Sequence, residues 1–487
     1  MQPPFHASID YQAHLPGLVI DGESIRHGRD TRPVVNPATG LAMGDVVQAR
    51  ARDVSDAAAS AADAFPRWAA TPPDLRGSIL NDAAALLSAR AELVAELVAL
   101  EVGKPLAQAQ VEVAVAAQTL AWFAQEGRRS YGRIIPGTFD GIQFSVRRQP
   151  VGVVAAFATW NFPVINAARK IGAALAAGCT CVYKPDEEAP AAGFAVARAL
   201  FDAGLPAGVL CVLFGDAPMV SGELLDAPQV RKLSFTGSVA VGRHLGKLAA
   251  ERNIRTTMEL GGHAPVIVCA DADLEAAARQ MVASKFRNSG QVCVAPTRIL
   301  VQDAVFDAFA ERFVAAARAL KVGNPLDPQC DMGPLIHERR RIATEDLVHD
   351  AQRAGAKVLC GGDRKAGPGF YYLPTVLARV PLAARAMTEE PFGPVALVNA
   401  FGTLEEAILE ANRLPLGLAA YVYSSSHKSV RILSQGVDAG MVAVNTAVVS
   451  RVEAPFSGVR HSGHGAENGI EGLDAYLTTK SISEAVI

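Results

Sequence analysis

One cysteine stands apart from the other six by its surroundings. Cys293 follows Gly290, Gln291 and Val292 in a stretch typical of a loop after a helix, whereas the other cysteines lie mostly in apolar strands or surface turns. A thiolate is a strong nucleophile, so Cys293 could attack an electrophilic carbon. A lone cysteine is more often a small core residue, so its position alone does not decide between the two roles.

A carboxylate that could serve such a nucleophile ends an apolar strand. Glu259 stands in the segment 257–262, which reads TMELGG, and the two glycines leave room for a ligand to approach the backbone. A free thiol has a pKa of about 8.5 and is mostly protonated at neutral pH, so a neighbouring base would favour the thiolate. The alternative is a glutamate that is simply solvated at the end of its strand.

A third candidate is an anion-binding turn at Gly237 and Ser238. The segment 235–238 reads FTGS and joins a strand to a helix, so backbone N–H groups and the helix N-terminus would face an anion. The dinucleotide motif GxGxxG after a strand and the phosphate-binding motif GxxxxGK(S/T) are both absent from the sequence. An ordinary turn is therefore the alternative at this position.

Other cysteines and histidines do not have the spacing of metal ligands. Cys179 and Cys181 share one face of a strand, and His461 and His464 flank glycines near the C-terminus. Neither pair is accompanied by a further pair or by a carboxylate cluster. We therefore interpret the cysteines as core residues and the histidines as turn residues, and we predict no metal site.

The chain that must position these residues alternates strands and helices after a helical N-terminal part. Apolar residues recur at helical spacing from about 54 to 125, for example over 81–98. From residue 151 onwards, short apolar strands alternate with helices, which predicts parallel sheets with crossover helices. The predicted strands are 151–157, 179–183, 209–214, 232–235, 264–269 and 298–301, and the predicted helices are 164–177 with Gly178 as C-cap, 191–203, 274–287 and 304–320.

Composition excludes several classes of protein. At 487 residues, half of them hydrophobic and a fifth charged, the chain should form a globular protein with more than one core. A net charge of -3 without a long run of Lys and Arg predicts no nucleic-acid partner. No apolar segment is long enough to span a bilayer, and the N-terminal MQPPFH lacks the pattern of a secretory signal. We therefore expect no membrane contact, a cytoplasmic location and, with seven cysteines, reduced thiols.

Together the motifs resemble those of the aldehyde dehydrogenase superfamily over nearly the whole chain. The shared segments begin with LVIDG at 18–22 and NPATG at 36–40 and end at Ser462 and Gly463. The distinctive segments, in the family's order, are WNFP (160–163), KP (184–185), FTGS (235–238), ELGG (259–262), GQVC (290–293) and EEPFGP (389–394). Chance agreement of all six in this order is negligible, so the chain is identified as a member of this family.

The resemblance implies an α/β aldehyde dehydrogenase fold with three parts. A Rossmann-like NAD-binding domain would comprise residues 1–127 and 151–262, and an α/β catalytic domain would comprise residues 263–450. Residues 128–150 and 451–487 would form a small β element for oligomerisation and bridging. Similarity also implies that the protein is a homodimer or a homotetramer.

By the same resemblance, Cys293 is the nucleophile, Glu259 is the general base, and the Asn161 side chain with the Cys293 backbone N–H forms the oxyanion hole. An aldehyde carbon must become tetrahedral before it releases hydride to nicotinamide, and sulfur attack makes it so and then leaves a thioester. Family members that lack the glutamate pass the acyl group to coenzyme A, so Glu259 predicts a free acid as product. Lys170 and Glu467 are expected near Glu259, where they would carry protons away.

The family pattern also assigns nine positions to the dinucleotide. They are Thr159, Trp160, Lys184, Glu187, Gly237, Ser238, Leu260, Glu390 and Phe392. Glu187 matches the position that holds the adenosine ribose, where a carboxylate accepts hydrogen bonds from a diol but repels a 2′-phosphate. NAD is therefore the predicted preferred cofactor, with NADP also admitted. Surface or core roles are the alternative for these residues.

Within the superfamily the chain looks most like the succinate-semialdehyde and 2-oxoglutarate-semialdehyde dehydrogenases, whose substrates carry a distal carboxylate. Arg169, Arg287 and Ser450 match positions that hold this carboxylate in the succinate-semialdehyde enzymes, and a guanidinium suits bidentate binding. Spacing alone would make both arginines solvated helix residues. The rival functions are an aldehyde dehydrogenase for a neutral, aromatic or betaine aldehyde, and a catalytically silent crystallin-like protein of this fold.

The chain departs from the pattern of the succinate-semialdehyde enzymes at a few positions. The residues after Cys293 read VAP, without the second cysteine that is common two residues on, so no local disulfide switch is expected. Thr159 stands where proline usually precedes the Trp-Asn pair, and FSG at 456–458 and Arg460 replace the usual FGG and lysine. These differences bear on which aldehyde is used and leave the predicted reaction unchanged.

Overall fold

A computed structural model describes residues 9–137 and 140–485 of the chain. The N-terminal MQPPFH, on which the expected lack of a secretory signal rests, lies outside the described residues. Residues 1–8 of the predicted NAD-binding domain and residues 138, 139, 486 and 487 of the predicted bridging element also lie outside them. The α-helices are α1 (Tyr11–His14), α2 (Ala51–Ala70), α3 (Pro73–Ala89), α4 (Ala91–Val102), α5 (Leu106–Glu126), α6 (Pro163–Ala177), α7 (Pro190–Asp202), α8 (Ala217–Asp226), α9 (Val239–Glu251), α10 (Leu274–Phe286), α11 (Phe306–Arg318), α12 (Glu338–Arg353), α13 (Leu404–Asn412), α14 (His427–Gly436) and α15 (Gly469–Asp474).

The strands group into two large sheets and three small ones. They are β1 (Leu18–Ile20), β2 (Glu23–Ile25), β3 (Thr31–Asn36), β4 (Leu41–Val47), β5 (Arg133–Ile135), β6 (Ile142–Pro150), β7 (Val153–Phe157), β8 (Thr180–Lys184), β9 (Leu210–Val212), β10 (Val230–Gly237), β11 (Arg255–Leu260), β12 (Ala264–Val268), β13 (Pro296–Gln302), β14 (Lys357–Cys360), β15 (Thr375–Ala378), β16 (Val395–Phe401), β17 (Leu416–Gly417), β18 (Ala419–Tyr423), β19 (Met441–Val444), β20 (Val459–Arg460), β21 (Gly463–His464) and β22 (Leu477–Ala485). The mixed α/β fold is the one expected from the sequence.

The first large sheet has the order β2-β1-β9-β8-β7-β10-β11-β21, with five parallel strands at its centre. Every residue of β7 and β8 is buried, as expected for strands covered on both faces by crossover helices. The helix between them, α6, begins with Pro163, whose missing N–H costs nothing at that position, and ends at Gly178 with a φ of 92°. The predicted β-α-β unit is therefore confirmed.

The strand register of this sheet brings several predicted segments to one edge. Phe157 of β7 pairs with Lys184 of β8 and with Phe235 of β10, and Gly237 pairs with Leu260 of β11. Because these strands are parallel, their carboxyl ends and the loops that follow lie side by side. This is the edge at which open α/β sheets bind ligands.

The second large sheet has the order β14-β15-β16-β13-β12-β18-β19 and is parallel except for the β14–β15 pair. Helices α10 and α11 pack against it and carry a cluster of buried aromatic rings, including Phe286, Phe309 and Phe313. The turn that carries Cys293 connects α10 to β13. The strands and helices predicted for this part are present, with ends shifted by up to two residues.

A three-stranded antiparallel sheet, β22-β6-β5, brings the C-terminal tail back to the segment predicted to bridge subunits. Nine residue pairs join β22 to β6, from Leu477 with Pro150 to Ala485 with Ile142. Ile134 on β5 is 68% exposed, which is unusual for an isoleucine in a strand. The role of this sheet in oligomerisation stays a prediction, as do the domain boundaries.

Two predicted segments differ in detail from the structure. The helical pattern over 81–98 is confirmed but is divided between two helices, because α3 ends at Ala89 and α4 starts at Ala91, with Arg90 at φ -103° and ψ 16°. Arg90 forms an ion pair with Asp202 of α7 at 2.7 Å, a tertiary contact that periodicity cannot reveal. The strand predicted over 209–214 is reduced to β9. Within the described residues, no helix is both long and apolar enough to cross a membrane.

Candidate active site

Most of the predicted site residues line a single cavity of about 740 Å³. Loops of both large sheets contribute to its wall. The residues predicted as nucleophile and base, and most of those predicted to bind cofactor and substrate, therefore line the same cavity. The predicted residues that line it are Thr159, Trp160, Asn161, Arg169, Gly237, Ser238, Glu259, Leu260, Arg287, Cys293, Glu390, Phe392 and Ser450. Lys184 and Glu187 do not line this cavity.

A tight turn presents Cys293 to the cavity. Three successive residues ending at Gly290 have positive φ angles, between 48° and 74°, and a Cβ on Gly290 would lie 2.0 Å from the carbonyl oxygen of Gly393. Glycine is therefore required there, both for its conformation and for its lack of a side chain. Gln291 is buried and its side-chain nitrogen donates to the Asn288 carbonyl at 3.1 Å, which fixes the turn.

Glu259 lies at the end of β11 and lines the same cavity as Cys293, close enough for its charge to act on the thiol. Burial, followed by the negative charge of Glu467, raises the pKa of Glu259 to about 7, and its Oε1 atom is buried without a hydrogen-bond partner. Burial and the charge of Glu259 hold the pKa of the Cys293 thiol well above its usual value. At neutral pH the pair is therefore a thiol next to a carboxylate that can take its proton.

The Asn161 side chain faces the turn that carries Cys293. Asn161 lies in the loop between β7 and α6, is buried, and donates from Nδ2 to the carbonyl oxygen of Gln291 at 3.2 Å. Its own backbone carbonyl accepts hydrogen bonds from Lys104 at 2.8 Å and from Asn288 at 3.1 Å. The backbone carbonyl and the side-chain amide of Asn161 are thus both held next to the turn that carries Cys293.

An ion pair lies behind Glu259. The ammonium of Lys170 is 2.5 Å from a carboxylate oxygen of Glu467, both side chains are buried, and Lys170 also donates to Ser234 at 3.3 Å. The negative charge of Glu467 raises the pKa of Glu259 and the positive charge of Lys170 lowers it, so both groups act on it directly. Glu259 therefore has buried protonatable neighbours, as the sequence resemblance led us to expect.

The carboxyl edge of the first sheet has the features of a phosphate and nucleotide site. Thr236 Oγ1 is buried at the cavity wall without a hydrogen-bond partner, which leaves a polar atom for a ligand. A Cβ on Gly237 would lie 2.4 Å from the Phe235 ring, so this close-packed position needs glycine. Ser238 then caps α9 by accepting from the N–H of Val241 at 3.4 Å. These features fit a bound dinucleotide.

Aromatic and acidic residues continue this edge towards Cys293. The rings of Trp160 and Phe392 meet edge to face with centroids 5.7 Å apart. Glu390 accepts a hydrogen bond from the Gly262 N–H at 3.3 Å, and burial raises its pKa to about 8. A Cβ on Gly261 would lie 2.4 Å from a Glu390 oxygen, so the glycine pair of the ELGG segment makes room for this carboxylate.

Lys184 and Glu187 are paired with each other outside the cavity. The Lys184 ammonium is 2.5 Å from Glu187 Oε1, which also accepts from the Gly215 N–H at 2.9 Å. Arg32 lies 3.9 Å from the other Glu187 oxygen and 2.6 Å from Glu188. The buried Glu187 carboxylate is thus fixed at the carboxyl edge of β8, beyond the part of the site that the cavity encloses.

Two arginines line the opposite part of the cavity. Arg169 on α6 donates to Ser450 Oγ at 3.2 Å and lies 3.7 Å from Glu467, and its guanidinium stacks over the Phe456 ring at 4.2 Å. The Arg287 guanidinium lies 5.4 Å from the Phe162 ring centre. The Nε atoms of both arginines are buried without a hydrogen-bond partner. Neither arginine is therefore a solvated helix residue.

Several cavity-lining residues were not found from the sequence. Lys104 and Glu112 form a buried ion pair beneath Asn161, and Arg340 lies near Glu390 and donates to Pro391 at 3.3 Å. A signal for Glu112 existed, since it is a charged residue between two valines in an apolar helix. Arg340 sits in a run of three arginines that looks like a solvated helix face, so nothing in the sequence singles it out.

Known proteins resemble the chain along nearly its full length. Residues 25–482 match the aldehyde dehydrogenase family. The chain is 44% identical to a 4-(hydroxymethyl)benzenesulfonate dehydrogenase of Comamonas testosteroni, over 96% of the chain and 97% of that protein. It is 42% identical to the succinate-semialdehyde dehydrogenase (NADP+) of Escherichia coli, over 92% of the chain and 93% of that protein. The crystal structure of a succinate-semialdehyde dehydrogenase from Burkholderia pseudomallei matches with a TM-score of 0.95 and 40% identity over the whole of both chains. The chain therefore belongs to the aldehyde dehydrogenase family, as its motifs predicted.

Proposed function

We propose that this aldehyde dehydrogenase oxidises a semialdehyde with a distal carboxylate, such as succinate semialdehyde or 2-oxoglutarate semialdehyde, to the free acid. The reaction runs through a thiohemiacetal and a thioester on Cys293, and NAD is preferred to NADP. The observation that carries the substrate proposal is the pair of arginines, Arg169 and Arg287, in the cavity that also holds Cys293 and Glu259. Their unpaired buried Nε atoms are donors that an anionic substrate would satisfy.

Cys293 supplies the nucleophile. Because burial opposes the thiolate, the sulfur becomes nucleophilic as its proton leaves for the neighbouring Glu259 carboxylate, and the sulfur then bonds to the aldehyde carbon. The pKa of about 7 for Glu259 suits a group that must both accept and release a proton near neutrality.

Asn161 stabilises the negative charge that develops on the aldehyde oxygen. Its Nδ2 atom, 3.2 Å from the Gln291 carbonyl, is the donor that would bind the oxygen of the aldehyde carbon once that carbon is bonded to the Cys293 sulfur. The backbone N–H of Cys293 is the second donor. Loss of one such donor typically costs about 3 kcal/mol of barrier.

Residues of the carboxyl edge would hold the cofactor. Thr159, Trp160, Thr236, Gly237 and the N-terminus of α9 at Ser238 fit its phosphates, and Leu260, Glu390 and Phe392 fit its nicotinamide end. Bound there, a nicotinamide dinucleotide supplies the hydride acceptor that oxidation of the sulfur adduct requires.

Glu259 then activates the water that hydrolyses the thioester. After it has released the thiol proton to solvent, the Glu259 carboxylate takes a proton from water while the water oxygen attacks the acyl carbon. It then passes this proton to the departing sulfur, so that Cys293 leaves as the thiol. The ion pair of Lys170 and Glu467 lies within electrostatic reach of Glu259 and supports proton exchange out of the site.

The substrate carboxylate would bind Arg169, Arg287 and Ser450. Arg169 already donates to Ser450, so the two form one polar wall. A guanidinium binds a carboxylate by two parallel hydrogen bonds, and the aromatic rings of Phe162 and Phe456 keep both cations partly dehydrated, which strengthens such bonds.

Preference for NAD rests on Glu187. Its carboxylate is buried and fixed by Lys184 and by the Gly215 N–H, so it would accept from ribose hydroxyls and repel a 2′-phosphate. The Escherichia coli relative carries NADP in its name, so this chain is proposed to differ from it in cofactor preference.

A second candidate substrate is an aromatic aldehyde that carries an anionic group. The Comamonas relative acts, by its name, on a benzenesulfonate compound, and two features of this cavity favour such a ring. Phe162, Phe456 and Tyr421 line it, and the first two lie against the arginines that would bind the anion. Ring stacking and ion pairing would then act together.

We further propose that the protein acts in the cytoplasm as a homodimer or homotetramer, joined through the sheet of β5, β6 and β22. Exposed apolar residues on and next to this sheet support an interface, among them Ile134 on β5 and Tyr131, which precedes β5 and is 75% exposed.

A substrate profile tests the proposal. Values of kcat/KM should be measured for succinate semialdehyde, 2-oxoglutarate semialdehyde, 4-formylbenzenesulfonate and propanal, each with NAD and with NADP. We expect a semialdehyde with NAD to be used best. A higher value for the arylsulfonate would favour the second candidate, and a preference for propanal would contradict both.

A further inference from the structure

A buried ion pair lies directly beneath the loop that carries Asn161. Lys104, in the connection between α4 and α5, and Glu112, on α5, are in contact through their charged groups, and their exposures are 0% and 1%. Both side chains also line the cavity. Burying an ion pair costs desolvation free energy that the attraction between the charges barely offsets. A gain in stability therefore does not explain the presence of this pair.

Each partner of this pair holds one end of the same short segment. The Lys104 ammonium donates to the backbone carbonyl of Asn161 at 2.8 Å and lies 3.8 Å from the centre of the adjacent Phe162 ring. Glu112 accepts from the backbone N–H of Val164 at 2.9 Å and of Ile165 at 3.4 Å.

Glu112 takes the place of a cap for helix α6. The first residue of that helix is Pro163, which has no N–H, and the residue before it gives no side-chain cap. The carboxylate therefore satisfies the first two free donors and meets the positive end of the helix dipole. The contact with Glu112 on α5 therefore fixes the start of α6 and the loop that precedes it.

The contacts also connect this segment to the nucleophile's turn. The Asn161 carbonyl that accepts from Lys104 accepts from Asn288 as well, at 3.1 Å, and the Asn161 side chain donates to Gln291. Lys104 and Asn288 thus fix the backbone from which the Asn161 side chain extends, and the amide itself is held by the Thr159 hydroxyl at Oδ1 and by the Gln291 carbonyl at Nδ2. Catalytic donors must hold such a position to within a fraction of an ångström.

We infer that Lys104 and Glu112 are positioning residues that aim the Asn161 amide at the oxygen of the sulfur adduct. Neither touches the reacting atoms, and both act through the segment from Asn161 to Ile165. This inference rests on the proposed role of Asn161 as an oxyanion donor.

The test compares two reactions of the same sulfur. Acylation of Cys293 by 4-nitrophenyl acetate forms a thioester, releases nitrophenolate and passes through an oxyanion, whereas alkylation by iodoacetamide displaces iodide without one. Because removal of one partner would strand a buried charge, the main variant is the double change Lys104→Met and Glu112→Gln. Lys104→Arg serves as the conservative variant that should rescue the acylation rate in part.

We expect the double variant to lose acylation rate but to keep its alkylation rate. The double variant should be acylated about a hundredfold more slowly than the wild type, as when an oxyanion donor is lost, while its alkylation rate stays within about threefold. In an Asn161→Ala background the double change should slow acylation by no more than about threefold further, because it acts through Asn161.

Glu101→Gln is the matched control. Glu101 is also a buried carboxylate that accepts two backbone N–H groups at a helix start, those of Ala191 and Ala192 on α7, but it is not in the Asn161 segment. This variant should lose a similar amount of thermal stability and keep its acylation rate.

The outcomes distinguish the oxyanion role of Asn161 from the positioning role of Lys104 and Glu112. If Asn161→Ala leaves acylation unchanged, the oxyanion role of Asn161 is wrong and the inference fails with it. If Asn161→Ala slows acylation but the double variant does not, or if the double variant loses acylation and alkylation together, only the positioning role is overturned.

Discussion

The pH dependence of turnover follows directly from the environment of Glu259. Burial and the charge of Glu467 raise the pKa of Glu259 from 4.5 to about 7. Thioester hydrolysis needs the carboxylate form, so the rate should follow its ionised fraction. That fraction is about one tenth at pH 6 and about nine tenths at pH 8, which predicts a rise in steady-state turnover of about tenfold. With an ordinary pKa of 4.5 the rate would change by only a few per cent over this range.

Stopped-flow measurement of reduced dinucleotide between pH 5.5 and 8.5, with saturating semialdehyde and NAD, tests this prediction. At low pH the thioester should accumulate, so a burst of about one equivalent per Cys293 should precede a slow steady state. In Glu259→Gln the slow steady state should persist at every pH, while the burst remains because solvent can accept the thiol proton. A wild-type rate that changes less than twofold between pH 6 and 8, or a variant that keeps the rise, would refute the reasoning.

Three further variants test separate parts of the site. Cys293→Ala should reduce turnover to background while leaving the dissociation constant for NAD, measured by calorimetry, within a few fold; normal turnover would remove the proposed chemistry. Arg169→Ala and Arg287→Ala should each raise KM for succinate semialdehyde by about 10- to 100-fold, because each removes a charge-assisted hydrogen bond to the substrate carboxylate. The KM for propanal should change little. Equal effects on both aldehydes would argue against a carboxylate pocket. Glu187→Ser should move the kcat/KM ratio of NAD to NADP towards NADP by about tenfold or more, since it removes the repulsion and frees Lys184; an unchanged ratio would exclude Glu187 as the determinant.

The sequence predicted the elements whose signals are local. The β-α-β unit around α6 is marked by a buried apolar run on each side, a proline at the start of the helix and Gly178 at its end. At the break between α3 and α4, Arg90 forms an ion pair with Asp202 of α7, which lies about a hundred residues away in the chain. Periodicity within one segment cannot report such a contact.

The same distinction applies to the site. Cys293, Glu259 and Asn161 stand in short motifs that resemblance could identify, and the structure brings them to one cavity. Lys104 and Glu112 are brought under the Asn161 loop by tertiary packing, which no local pattern reports. The one local signal is the charge of Glu112 between two valines. The thiol pKa was also not foreseen, because the sequence suggested a base that favours the thiolate, whereas burial dominates and opposes it.

The acyl-enzyme itself is the most direct test of the central claim. Glu259→Gln should be mixed with succinate semialdehyde and NAD, quenched in acid within the burst and analysed by peptide mass spectrometry. We expect a succinyl group on the peptide that contains Cys293, formed only when NAD is present. An unmodified Cys293 after a full burst of reduced dinucleotide, or an acyl group on another cysteine, would contradict it.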